Sequence, residues 1–106
     1  MKLYCIADED TVRGFRLAGV AGESVANAAE ATHALQRQAA DPNLGILIMT
    51  DVVAAEVREM VDTIRIEREQ PLIVEIPGPE GAMEGRKTLR QFVQEAVGIQ
   101  VGMEED

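Results

Sequence analysis

A chain of 106 residues with 19 acidic and 10 basic side chains has a formal net charge of −9. That balance argues against a nucleic-acid surface, which needs concentrated Lys and Arg, and points to basic protein surfaces as partners. The length suits one domain with a modest core, and a composition that is 46% hydrophobic with two Phe, one Tyr and no Trp implies a core of Val, Ile, Leu, Ala and Met, as in small parallel sheets covered by helices. No apolar run approaches the roughly 20 residues of a membrane span, and no apolar signal segment with a cleavage site opens the chain, so a cytosolic protein is expected. Cys5 is the only cysteine. An internal disulfide is impossible, and its place in the first strand marks it as a buried thiol.

Residues 3–7 form a short apolar run suited to a strand buried on both faces, broken by the polar cluster Asp8, Glu9, Asp10 and Thr11. Asp8, Asp10 or Thr11 can cap the helix that follows, since carboxylates are favoured beside its free N–H groups. Val12, Phe15 and Gly19 fall on one face of that helix, widened by Leu17 and Ala18. The stretch 24–28 around Val25 is expected as a second strand, and 29–40 as a helix with a thin apolar stripe of Ala31, Leu35 and Ala39, ended by Asp41, Pro42 and Asn43. Residues 44–49, the most apolar run, should be the central strand.

Thr50 or Asp51 caps the next helix, where Val53, Val57, Met60, Val61 and Ile64 recur at three- and four-residue spacing. Pro71 closes its polar end, residues 72–76 make a fourth strand, and Pro77 stops it. Residues 78–85 hold three glycines and form a hinge-like linker. The last helix, 86–97, gathers Leu89, Phe92, Val93, Ala96 and Val97 on one side, and an acidic tail runs to residue 106. The division is therefore a globular unit over 1–77, a linker over 78–85, and a helix with its tail over 86–106.

Strand alternating with helix predicts an α/β fold: a four-stranded parallel sheet with helices on both faces, Rossmann-like or receiver-like, in strand order 2-1-3-4 because the first and third strands are the most apolar. Asp8, Glu9, Asp10 and Asp51 then meet at the C-terminal edge of the sheet, where ligands bind in open α/β folds. A Mg²⁺-dependent phospho-acceptor signalling domain is one reading of that edge. Against it, the chain has no fifth strand ending in lysine, and capping accounts for Asp51 without catalysis. The run 81–88 lacks the spacing of a phosphate loop, with Glu80 where glycine is needed and Arg86 where lysine is needed. His33 is the lone histidine and a surface residue by default, and no catalytic, metal or cofactor-binding residues are assigned.

Four segments in order carry a resemblance. "IADEDTVRGFRLAGV", "GILIMTDVVAAEVREMVD", "QPLIVEIPGPEG" and "LRQFVQEAVGI" resemble the F subunit of the V-type and archaeal-type rotary ATPases, in which a strand ends in a small-acidic turn and runs into a "GF-x-LAG" helix. From the residues alone, the apolar side of the last helix serves equally to cover the sheet or to lie on a partner helix. The resemblance favours the partner, because in that family the C-terminal helix is the mobile part and packs on the coiled coil of the D subunit. It implies a non-catalytic central-stalk protein that turns with the shaft beneath the A/B catalytic head, needs no cofactor, enters no membrane, and stays cytoplasmic and peripheral. Arg86, Leu89, Arg90, Phe92, Val93 and Val97 are then the partner-binding residues.

Overall fold

The computed structural model describes residues 2–81. Its element order is β1 (Lys2–Ala7), α1 (Glu9–Leu17), β2 (Ala21–Ser24), α2 (Ala28–Ala39), β3 (Leu44–Thr50), α3 (Asp51–Glu56), α4 (Arg58–Glu67) and β4 (Leu72–Ile76). All strand pairs are parallel, and the sheet order is β2-β1-β3-β4, the order expected from burying the two most apolar strands. The helix expected over 86–97, and its mobility, lie outside the described residues.

Alternation along β1 divides the core. Ile6 packs with Ala31, Ala34 and Leu35 of α2, Val53 and Ala54 of α3, and Val61 and Ile64 of α4. Cys5 and Ala7 point the other way, onto Val12 and Phe15 of α1. Helices therefore cover both faces, three on one and α1 on the other.

The starts of α1, α2 and α3 are each fixed by a side chain that accepts a free amide there, whereas α4 begins at Val57 with no side-chain cap. Asp8 caps α1 by accepting from the Thr11 amide at 3.0 Å and the Thr11 hydroxyl at 2.6 Å. Asn27 caps α2 through the Glu30 amide at 2.9 Å, while the Glu30 carboxylate reaches back to the Ala26 amide at 2.8 Å. The buried Thr50 hydroxyl, rather than Asp51, caps α3 through the Val53 amide.

Three expectations are corrected. Helix α1 stops at Leu17, so Gly19 is not on its apolar face. Gly19 instead sits at φ 92°, its amide on Arg16 O and the Val20 amide on Phe15 O at 2.9 Å each, the double bond of a left-handed helix stop with Val20 packed near Phe15. Leu17 consequently projects into solvent, 86% exposed, instead of widening the apolar face. The second strand is Ala21–Ser24, not 24–28. Gly22 lets that strand lie against β1, where a Cβ at this position would be 2.6 Å from Cys5 O, and Asn27 already belongs to the start of α2. The helix expected to run through Val53 and Ile64 without interruption is two helices. Val57, at φ −127° and ψ 36°, breaks the register, while its amide bonds to Ala54 O and its carbonyl accepts from Val61. Both halves thereby keep Val53, Val57, Val61 and Ile64 against the sheet.

Beyond β4 the chain turns at once. Gly81 donates its amide to Gly78 O at 3.0 Å and has φ 96°, a conformation that glycine adopts without steric cost. The rest of the expected linker lies outside the described residues.

Candidate functional site

Residues that could carry chemistry meet at the C-terminal edge of the sheet. A groove of about 380 Å³ opens there, its apolar lining given by Val25, Ala26, Val52, Val53 and Pro79 and its acidic lining by Asp8, Asp10, Glu56 and Glu80. Asp8 is committed to the start of α1. Burial pushes its carboxyl up, but the hydrogen bonds from the Thr11 hydroxyl and amide outweigh that and hold it below its ordinary value. Asp51 is the first residue of α3 and half-buried. Among the described residues, no group of three or more His, Cys, Asp and Glu side chains is placed to hold a metal ion. Asp8 and Asp51 thus stand at two adjacent helix starts, each in a position that helix formation by itself rewards.

Behind this edge Cys5 is buried, and burial, followed by the charge of Asp8, pushes its thiol up to about 11. It is a neutral packing group. His33 is exposed on α2, the surface position expected of it. The buried thiol agrees with what the sequence led us to expect.

Two further arrangements lie away from the groove. On the face covered by three helices, Glu75 of β4 receives both guanidinium nitrogens of Arg58, and Arg65 joins the same carboxylate at 3.1 Å. Elsewhere on the sheet, strand register lines up Leu3, Ile46 and Leu72 in one row across β1, β3 and β4. Leu3 is 38% and Leu72 58% exposed, which leaves apolar surface along this row. Reading the sequence by motif missed both, since each depends on which residues the register brings side by side. The six partner-binding residues expected in the last helix, Arg86, Leu89, Arg90, Phe92, Val93 and Val97, lie outside the described residues.

The fold and this edge define a small doubly wound α/β domain whose acidic residues stand at helix starts and rim an open groove. The chain belongs to the family described as ATP synthase (F/14-kDa) subunit, whose model matches residues 3–95. Among its relatives is the F subunit of the A-type ATP synthase of Pyrococcus abyssi, 33% identical, with 95% of this chain and 98% of the relative covered. That of Methanocaldococcus jannaschii is 30% identical over 93% of this chain and 97% of its own length. The corresponding protein of Pyrococcus furiosus is 30% identical, with 95% and 98% covered. No helix among the described residues is long and apolar enough to cross a membrane.

Proposed function

We propose that this chain is a non-catalytic central-stalk component of a V/A-type rotary ATPase, cytoplasmic and peripheral to the membrane. In this reading it binds the D subunit, turns with the shaft, and contributes to coupling ATP turnover in the A/B head to ion movement. The single observation that carries the reading is the family match, because it runs through residue 95 and so takes in the globular unit together with most of the segment 86–97. Nucleotide and metal sites then belong to the neighbouring proteins of the complex.

The division of labour follows from the chain's make-up. The unit over 1–77 docks through one face, for which the partly exposed row of Leu3, Ile46 and Leu72 is suited by its apolar surface. The linker over 78–85 frees the segment that follows. Arg86, Leu89, Arg90, Phe92, Val93 and Val97 then lie along the D coiled coil, apolar side chains inward and basic ones at the rim. The experiment is size-exclusion chromatography of the full chain mixed with the D subunit of the same organism. A stoichiometric co-eluting complex is expected, and separate elution of two folded proteins would overturn the reading.

A further inference from the structure

Among the described residues the four-stranded open sheet has two edges, β2 and β4, and each edge presents backbone groups on which another strand can pair. The register shows which groups these are. The Val25 amide donates to Ala7 O at 3.0 Å, so Ala7 and, by alternation, Cys5 direct their backbone groups towards β2. With Cys5 opposite Gly22, Ala21 and Glu23 face β1, and Gly22 faces outward.

The same alternation carries across the sheet. Tyr4 and Ile6 face β3, and Tyr4 lies opposite Leu47, so Leu47 faces β4. Leu47 in turn lies opposite Ile73, so Leu72 and Val74 complete that ladder, leaving the backbone of Ile73 outward on the far edge.

The outward carbonyls of Gly22 and Ile73 are each taken by an arginine. Arg16, in the last turn of α1, donates from Nη2 to Gly22 O at 2.9 Å. Arg65, in the last turn of α4, donates from Nη2 to Ile73 O at 2.8 Å. In each case the arginine ends the helix that leads into the edge strand and folds back over that strand. Arg65 is also held in place by Glu75. A guanidinium in this position occupies an acceptor that an incoming strand needs, and brings a charge that the incoming strand would have to displace or desolvate.

We propose that Arg16 and Arg65 are edge guards that close the two sides of the sheet to strand addition, so that the domain meets its partners by faces and helices rather than by backbone pairing. The inference does not depend on which partner the chain binds.

The test is sedimentation velocity of the full chain over a range of concentrations, with circular dichroism to establish that each variant is folded. The wild type is expected to stay monomeric. R16Q/R65Q is expected to self-associate about tenfold more strongly, the equivalent of one ordinary hydrogen bond. E75Q, which removes the ion pair but leaves Arg65 able to reach Ile73 O, is expected to stay monomeric. A folded R16Q/R65Q that is as monomeric as the wild type overturns the proposal, and so does an E75Q that associates as strongly as R65Q. Should the double variant not fold, the single variants decide each edge separately: a folded R65Q that stays monomeric overturns the guard on β4, and a folded R16Q that does so overturns the guard on β2.

Discussion

Arg58 and Glu75 meet fork to fork, with Nη1 on Oε2 at 2.6 Å and Nη2 on Oε1 at 2.9 Å, a contact that ties the first turn of α4 to the last strand of the sheet. The hydrogen bonds from Arg58 hold the Glu75 carboxyl below its ordinary 4.5, against the opposing effect of burial. A carboxyl whose pKa is lower in the folded than in the unfolded chain stabilises above the unfolded pKa, and that contribution is lost as pH falls through the folded value. With the Arg58 side chain 41% and that of Glu75 22% exposed, solvent screening limits the pair to about 1 kcal/mol. E75Q should therefore unfold at lower urea concentration than the wild type near neutral pH, and the gap should close below pH 4.5. A gap of the same size at neutral and acid pH would assign the loss to packing instead.

Two glycines predict opposite outcomes from the same substitution. A Cβ at Gly22 would lie 2.6 Å from Cys5 O and 3.1 Å from Cys5 Cβ, and the backbone atom cannot move without prising β2 from β1. G22A should cost about 2 kcal/mol. Gly14, inside α1, has nothing within 4 Å of where its Cβ would be, so G14A should add about 0.5–1 kcal/mol through the better helix propensity of alanine. Urea unfolding of both variants checks this, and a G22A chain as stable as the wild type would refute the close approach.

The same two regions show what the sequence makes legible. Strand β4 could be bounded to the residue because Pro71 and Pro77 bracket a mostly apolar run. Strand β2 could not, because its four residues, Ala21, Gly22, Glu23 and Ser24, lack the branched and aromatic side chains that announce a strand. It exists because Gly22 fits against Cys5. Likewise the break at Val57 contains neither Pro nor Gly, the usual marks of an interrupted helix. At the candidate site, the position of Asp8, Asp10 and Asp51 at one edge followed from strand–turn–helix order. The clamps of Arg16 and Arg65 did not, since a bond from a side chain to a backbone carbonyl depends on register and reach that no motif records.

Cys5 offers a direct reading of whether the α1 face is closed in solution. With the thiol wholly buried and pushed up to about 11, the thiolate is scarce and inaccessible in the folded chain. Labelling by a chromogenic disulfide reagent in mildly alkaline buffer should be at least ~100-fold slower than in denaturant. Its rate should follow unfolding, rising with urea in parallel with loss of helical circular dichroism. Labelling as fast in buffer as in denaturant would show that α1 leaves the sheet without global unfolding.

The segment 86–97 is the part of the chain expected to meet the D subunit. Its side chains Leu89, Phe92, Val93 and Val97 return at three- and four-residue spacing, with Arg86, Lys87 and Arg90 beside them in a chain whose net charge is −9. If this stripe lies on the D coiled coil, introducing carboxylates at its centre must desolvate two charges against an apolar partner. F92D/V93D should then weaken the complex with D by ~100-fold or more, measured by titration calorimetry, while R90A, a change at the rim, should cost less than about tenfold and mainly at low salt. Matching urea midpoints for wild type and F92D/V93D would establish that the globular unit is intact in the variant. Wild-type affinity in an intact F92D/V93D would remove the stripe from the interface, and D would then have to be held by the globular unit alone.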